Sequence, residues 1–498
     1  MPNVKYICSA VQPYLEIYRQ IKDCIDGEHR IKKSGDTYLP RPNATDDSAE
    51  NEDRYKAYKQ RAVFYNVTGR TLAGLTGQIY KREPVIQVPE TMQAIVENAD
   101  GAGINLVQLS KKSSAYTLGF GRSGIFIDYP ATEGSVSRAE LEEGDIRPTI
   151  NVYAPYDIVN WRTTVRGAKE ILSLVVLKEK EQYCEDGFES KTRDRYRVLR
   201  LGTVEDAQNG TEANGTYNVE LWSDIGGEMS VNQTHTPTDA EGNPLREIPF
   251  IFIGSENNDH EIDKAPLYDL SVLNIAHYRN SADYEESSFM VGQPTPFFSG
   301  LTENWVENVM NGQIQLGSRA AVPLPENGTA GLLQANPNIM PKEAMDHKEK
   351  QMVALGAKLV EEREIRRTAT ESMIDNASET SILTSSAKNV SEAYTRALTT
   401  CQQFMVGVEG EVEFELNTEF EISSMSYQDR LQMMQEWQGG ALSFQEVRHV
   451  LKKVGVATMD DDAAKLEIDK ELEVRKKQML ESKPAENENK PDPKDEKS

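Results

Sequence analysis

Gly119, Gly121 and Gly124 in LGFGRSGIF stand at G-x-G-x-x-G spacing, a pattern whose backbone can cradle a dinucleotide pyrophosphate. That chemistry needs a strand before the glycines and a helix after them, so that the helix N-terminus meets the phosphates. Here a helical pattern runs up to the glycines and the strand-like run IFIDY follows. The order predicts a tight helix-to-strand turn instead. No G-x-x-x-x-G-K-S/T phosphate loop and no G-x-S-x-G elbow occurs. The six histidines (His29, His235, His260, His277, His347, His449) are scattered, with no H-x-x-x-H or H-E-x-x-H pair, so no zinc is expected. Cys8, Cys24, Cys184 and Cys401 lie far apart without C-x-x-C and read as reduced thiols of a cytoplasmic protein. Asp460, Asp461 and Asp462 read as the solvated first turn of a helix. Asn66 and Asn389 open Asn-x-Ser/Thr triplets, which say nothing about function without a secretory route. No cofactor, metal or enzymatic group is expected.

One basic cluster carries weight. Arg363, Arg366 and Arg367 fall at the end of a long helical pattern, next to the run TATESMIDNASET. Cations there can complement the helix dipole, or they can contact phosphate.

The bulk composition limits the partners. The 498 residues carry 80 acids against 55 bases, a formal charge of −25, and 38% are apolar. Such a balance argues against a protein held to nucleic acid or anionic membrane by bulk charge. No apolar run approaches the roughly 18–20 residues that span a bilayer. The first residues, MPNVKYICSAVQPYLEIY, lack the charged-then-apolar plan of a secretory signal, and none is expected.

The elements that would position these residues follow from periodicity, and they give an α+β chain. The first 120 residues read as helix, with Val11, Leu15, Tyr18 and Ile25 at helical spacing. One long helix is expected from Ala49 to about Tyr80, with a kink or close packing at Gly69, Gly74 and Gly77, and another over Ile104–Leu118. Residues of about 120–255 read as an antiparallel β region with runs at Ile125–Tyr129, Thr149–Tyr153, Ile171–Leu177, Tyr196–Leu201, Tyr217–Trp222 and Ile248–Ile253. GTVEDAQNGTEANGT, SDIGGE and TDAEGN separate them as loops. Helix returns at Pro266, and a second long helix runs from near Pro341 to about Arg367. The two bracket an irregular insert of Gly, Pro and Asn, the plan of a helical hairpin with an elaborate tip. A third helix, about Glu379–Val406, has a polar face rich in Ser, Thr and Asn. EVEFELNTEFEIS alternates apolar and acidic residues as a strand over 411–423. Helices at Tyr427–Gln438, Phe444–Val454 and about Asp460–Leu480 follow, and residues 481–498 read as a disordered tail.

Several of these phrases, in order over about residues 60–440, resemble the portal proteins of tailed bacteriophages. They are NVTGRTLAGLTGQIYKREP, LGFGRSGIFIDYP, RPTINVYAPYDIVNWR, IPFIFIG, APLYDLSVLNIAHYRNSADYEESSFMVGQPTPFFSG, KEKQMVALGAKLV and ETSILTSSAKNVSEAYTRAL. The resemblance implies a mainly helical portal architecture with a mixed β region in its wing. The wing would be residues 1–263, the stem 264–290 and 342–362, the clip 291–341, the tunnel-loop region 363–379 and the C-terminal crown 380–480. It implies a homo-oligomer, usually a dodecamer, at one capsid vertex of a virion assembled in the host cytoplasm. Double-stranded DNA would pass non-specifically through its channel. The other partners would be the terminase large subunit, the major capsid or scaffolding protein and a head–tail adaptor, with no membrane. Under it, Arg363, Arg366 and Arg367 are candidate phosphate contacts, with Lys342, Lys348, Lys350 and Lys358 as weaker basic rings or intersubunit salt-bridge partners. Phe297, Phe298 and Trp305 are candidates for the motor face or for burial between neighbouring clips. The acidic balance suits a conduit, because DNA that must slide would be braked by strong phosphate adhesion. Another virion structural protein or a head–tail adaptor is the competing reading, and an enzyme resting on the Gly119–Gly124 turn is a third. Changing all three arginines to glutamine is expected to lower genome packaging and retention; a packaging assay at the unmodified level removes their phosphate role.

Overall fold

Asn105 and Gly121 set the ends of the helix on which the larger body is built. The Asn105 side chain accepts from the Gln108 N–H while Gln108 Oε1 accepts from the Asn105 N–H, a reciprocal cap. Gly121, at φ 82°, closes the other end in the left-handed region. This computed structural model describes residues 3–129, 147–184, 187–225, 228–309, 323–336, 338–359, 381–405, 408, 410–418, 420, 427–440, 442–453, 459, 461, 463–468 and 470–471. They fall into two compact units, Met1–Phe420 and Glu421–Ser498.

In the first unit the helices are α1 (Tyr14–Asp26), α2 (Glu28–Ser34), α3 (Ala49–Arg61), α4 (Val67–Ile79), α5 (Gln93–Glu97), α6 (Leu106–Phe120), α7 (Val204–Asn209), α8 (Tyr268–Gly292), α9 (Glu303–Asn308), α10 (Met340–Lys358) and α11 (Ile382–Gln403). The strands are β1 (Val85–Gln87), β2 (Arg122–Asp128), β3 (Thr149–Tyr153), β4 (Ile158–Arg166), β5 (Lys169–Cys184), β6 (Ser190–Leu201), β7 (Tyr217–Ile225), β8 (Glu228–His235), β9 (Phe250–Gly254), β10 (Thr295–Ser299), β11 (Thr329–Leu333) and β12 (Glu413–Glu415). The mixed α+β class read from the sequence is what is found.

The β region is two stacked antiparallel sheets, β3-β2-β9 and β4-β5-β6-β7-β8. Alternation along each strand decides what it faces. Ile125 and Ile127 of β2 and Ile251 and Ile253 of β9 face the core that includes α1, α4, α6 and α11. Phe126, Phe250 and Phe252 face the larger sheet, against Ile158, Val175, Leu177 and Leu199. Burial on both faces explains why IPFIFIG carries no polar alternation. The outer face of the larger sheet packs Leu174, Val176, Tyr196 and Val198 beneath Val4 and Ile7 of the N-terminal segment.

The Gly119–Gly124 turn is structural, as its order predicted. A Cβ on Gly121 would lie 2.7 Å from the Lys264 carbonyl oxygen, and one on Gly124 would lie 2.4 Å from the Phe250 ring. These glycines let strands and loops approach; a helix precedes them and β2 follows.

Three sequence expectations are corrected. The single helix over Ala49–Tyr80 is two, α3 and α4, broken at Ala62–Asn66; of the later glycines, Gly69 is where the close packing falls, against Asn66 and Ile25 O. The break exists because other partners claim the backbone. Val63 N–H bonds to Ser281 Oγ, and the Asn66 side chain caps α4 by accepting from Gly69 N–H. The strand over 411–423 is only Glu413–Glu415 among the described residues, because its partner β1 is three residues long and lies between Pro84 and Pro89. GTVEDAQNGTEANGT is not all loop: Thr203 and Asp206 cap each other reciprocally at the start of α7. The polar face of α11 is also partly interior. Ser391 Oγ accepts from Leu416 N–H at 3.0 Å, and Thr395 Oγ1 from Phe414 N–H at 3.0 Å, which staples β12 onto the helix. The expected tail at 481–498 lies outside the described residues.

The second unit contains α12 (Tyr427–Gln438) and α13 (Phe444–Lys453), at the bounds the sequence indicated to within a residue. Gly439 N–H returns to Gln435 O, and Ser443 with Glu446 forms the cap that restarts the chain as helix.

The tie between α8 and the N-terminal helices is polar and centred on Asn274 and Thr68, both fully buried. Asn274 Oδ1 accepts from Val67 N–H, Thr68 N–H and the Thr68 hydroxyl, and its amide donates to Tyr65 O. Val67 N–H and Tyr65 O also bond to each other, so Asn274→Leu would strand the Thr68 N–H and hydroxyl, and a loss of about 3 kcal/mol is expected in thermal or urea unfolding. Thr68→Val, which removes only the hydroxyl's bond to Asn274, should lose clearly less; equal losses would show that the Asn274 hydrogen bonds are not what matters.

Candidate functional site

The feature without an internal explanation is the pair α8 and α10 with the short sheet between them. His277 Nε2 lies 3.2 Å from Glu349 Oε1, Lys348 Nζ donates to Asn280 Oδ1 at 2.6 Å, and Gln334 Nε2 donates to Val291 O at 3.2 Å. One set of numbers rises as the other falls, so the helices run antiparallel. The two ends of the pair differ. Leu270, Ile275, Tyr278 and Ala282 of α8 and Met352 of α10 are buried at one end, whereas Phe289, Met290 and Met340 are exposed at the other.

Between the helices, β10 and β11 pair antiparallel from Thr295↔Leu333 to Ser299↔Thr329. The Phe297 ring lies over Gly331, where a Cβ would come within 2.7 Å of it. Phe297 is 48% exposed, and Leu332 and Leu333 are 65% and 70% exposed. Phe297 and Phe298 are successive residues of one strand and so face opposite sides. Trp305, on α9, is half-buried and donates through Nε1 to Pro323 O at 3.3 Å. The structure therefore presents these three aromatics separately. The exposed residues that sequence reasoning did not single out are Met290, Leu332, Leu333, Ile339 and Met340. Their signal was the apolar pair Leu332-Leu333 in an insert read for its Gly, Pro and Asn.

The candidate cations divide. Lys342 and Lys350 are exposed on α10, and Lys348 is bound to Asn280. Arg363, Arg366 and Arg367 and the side chain of Lys358 lie outside the described residues.

The buried charged groups elsewhere join elements. Glu179 accepts from Tyr153 Oη at 2.6 Å and from Arg195 and Arg197, and Arg197 Nη1 reaches Asp128 Oδ2 at 2.8 Å. Burial works to raise the Glu179 carboxyl, but Arg197, Tyr153 and Arg195 outweigh it and hold it below the usual range. Burial dominates at Asp128 and pushes it up, against Arg197. The network fastens β5 and β6 to β2 and β3. Arg122 sits between the rings of Trp161 (4.1 Å) and Phe252 (3.9 Å), donates to His260 O, and is pushed down by burial to about 10. No group of three or more His, Cys, Asp or Glu able to hold a metal is found among the described residues, and no helix there is long and apolar enough to cross a membrane.

Residues 266–405 match the model of a family described as a domain of unknown function (DUF4055), a segment that contains α8, β10, α9, β11, α10 and α11. No curated protein matches the chain. Among solved structures it is similar to a chain in the virion of the native gene transfer agent (GTA) particle, at 11% identity and a TM-score of 0.39, covering 86% of this chain and 99% of that one. It is similar to a chain in the neck of the empty GTA particle, computed with C6 symmetry (13% identity, TM-score 0.39, 81% of this chain, 93% of that one). A chain in the neck of the native particle, computed with C12 symmetry, gives 13% identity and a TM-score of 0.38 over 77% of this chain and 89% of that one.

Asp157 gives a pH-dependent expectation. Burial raises its carboxyl to about 6, opposed by Lys178, Lys112 and Lys180. The folded chain then holds a proton that the unfolded chain releases between roughly pH 4 and 6, so this group's contribution to stability falls as pH rises through that window. Asp157→Asn should raise the melting temperature at pH 7.5 and leave it unchanged near pH 3.5. An equal shift at both values would assign the effect to packing.

Proposed function

We propose that the chain is the subunit of a phage-type portal, a closed ring of identical copies around an axial channel for double-stranded DNA. The observation that carries the reading is the α8–α10 pair, seated in the core at one end and carrying at the other a two-stranded sheet with exposed apolar side chains. A two-stranded hairpin is marginal on its own in water. Covering such residues gains about 25 cal/mol per Å² of apolar surface, and clustered exposure of this kind marks a protein–protein contact. A contact that joins one face to a different face of the next copy repeats head to tail and can close a ring. The ordered phrases over about residues 60–440 support the same assignment, which stands on them and on the hairpin rather than on distant structural likeness.

In this reading residues 1–263 are the wing, 264–290 and 342–362 the stem, 291–341 the clip, 363–379 the tunnel loop and 380–480 the crown. The ring sits at one capsid vertex of a virion. DNA passes through without sequence recognition. The terminase large subunit and a head–tail adaptor dock on the ring, and capsid or scaffolding protein surrounds it. The subunit does no bond-making chemistry and needs no cofactor.

Twelve chains of 55.9 kDa give about 670 kDa. Purified protein is expected to reach that mass and to show annular particles end-on in electron micrographs. A persistent monomer overturns the reading, and assembly only on a preformed ring makes the chain an adaptor. Gly331→Val would displace the Phe297 ring and should lower ring yield about tenfold or more with an unchanged circular dichroism spectrum. Full assembly of that variant would remove the hairpin from the contact.

A further inference from the structure

Six strands each send one polar side chain into the space between the two stacked sheets. Asp128 of β2 and Tyr153 of β3 come from the smaller sheet; Glu179 of β5, Arg197 of β6, Tyr217 of β7 and His235 of β8 come from the larger. Register fixes the faces. Leu199, Val219 and His235 pair in one cross-strand row, and Leu199 and Val219 are buried in the inter-sheet core. His235 therefore points inward beside them. Asp128 stands two residues after Phe126 and shares its face.

Most of this group is satisfied. Arg197 Nη1 meets Asp128 Oδ2 at 2.8 Å, and Glu179 accepts from Tyr153, Arg195 and Arg197. Two members are not. Neither ring nitrogen of His235 nor the Tyr217 hydroxyl has a hydrogen-bond partner among the described residues, and all three atoms are buried. The position matters because β8 is an edge strand, bonded to β7 alone. Of its eight residues only Met229 and His235 are not exposed, and Met229 packs on the outer face. His235 is thus the strand's one inward anchor. The chain beyond it leads to Ala240, whose N–H bonds to Gln403 O at the end of α11.

Charge decides what a proton does there. With the imidazole neutral, Asp128 and Glu179 balance Arg195 and Arg197. A proton on His235 adds a third cation where its ring is buried, and Asp128 is already engaged by Arg197. Burial, opposed by Asp128 and helped by Arg197, holds the imidazole below its ordinary value. The detached strand takes up a proton that the closed one refuses. His235's contribution is therefore complete above the ordinary imidazole value of about 6.5 and is lost as pH falls below it. Asp128, raised by burial against Arg197, works in the opposite sense, since its proton favours the closed site.

We infer that His235 is an acid-operated latch on the sheet edge: when its ring takes a proton it leaves the inter-sheet space, and β8 detaches from β7 with it. The opening is local. β5 and β6 are covered on both faces near their base and stay paired, whereas β8 has no second anchor on its inner face. The latch does not depend on the ring reading, since every group in it belongs to one chain.

Amide hydrogen exchange of the full chain, read by mass spectrometry at pH 7.5 and 5.0 and corrected for the intrinsic rate, tests it. The protection factor of the peptide covering Met229–Thr234 is expected to fall by about tenfold or more at pH 5.0, while that of Val175–Leu177 holds. His235→Gln, which keeps a polar side chain but has no proton to gain, should give a flat profile over β8. The same fall in that variant, no fall in the unmodified chain, or an equal fall in both peptides overturns the latch. A second readout needs no variant: exchange at the imidazole C2 position gives the titration midpoint of His235 itself. A midpoint lower in the folded chain than in the same chain in urea supports the latch; an equal or higher one refutes it.

Discussion

A single buried amide fixes the position of α8, the longest helix among the described residues. Asn274 accepts from the first two N–H groups of α4, the first of which it shares with Tyr65 O, and Asn66 accepts from the third. The start of α4 therefore needs α8 at one height and in one rotation. Farther along the same helix, Arg279 donates to Tyr38 O, Ser281 accepts from Val63 N–H, Asp283 accepts from Tyr58, and Glu286 pairs with Arg61. Polar ties of this kind add little net stability each, but a shift of one residue would strand several buried groups at once. The register of α8 is thus set by hydrogen bonds, and the apolar core below it supplies the bulk of the energy. Because α10 is locked to α8 through Asn280 and His277, the same constraint carries through to β10 and β11.

The sheets use a different device. β2 and β9 are apolar on both faces and would accept several registers against a featureless partner. The Glu179–Arg197–Asp128 network and the sandwiched Arg122 break that degeneracy, since each cation fits only one arrangement of carboxylates and rings. A buried ion pair is weak as a source of stability and strong as a penalty on misalignment.

How much of this the sequence disclosed depends on which force set each element. Where local rules governed, the reading held: the reversed Gly119–Gly124 turn, the α6 and α8 patterns, the helix pair with its irregular insert, and α12 and α13 to within a residue. Where a distant partner governed, it did not. The gap between α3 and α4 exists because Ser281 and Asn274, more than 200 positions away, claim the backbone there. β12 stops because β1 stops, although its own alternation runs on. β4 and β8 passed unnoticed because IVNWRTTVR and EMSVNQTH are polar enough to resemble loop; β8 is an edge strand and needs no apolar face. The Ser and Thr of α11 looked like a solvated face, yet Ser386 is fully buried and Ser391 and Thr395 hold a strand. Small hydroxyls are ambiguous in a sequence because they satisfy either water or a neighbouring backbone equally well.

In the proposed ring, association between copies would have to overcome the chain's own charge. At −25 each, two copies repel, and the repulsion is long-ranged only within a Debye length of about 8 Å at physiological salt. Contacts made by flat acidic surfaces would therefore fail, while contacts made by projecting apolar tips reach past the screened layer before the bodies approach. One cluster of exposed apolar side chains, Phe297, Leu332 and Leu333, stands at the far end of the helix pair. Burying such side chains is worth about 1.5–3 kcal/mol each, more than a screened surface ion pair costs to form or lose. Under the proposed ring reading, the chain would remain acidic enough to let a polyanion slide past and still join its own copies, because the attraction would be confined to the apolar cluster while the repulsion is spread over the whole surface.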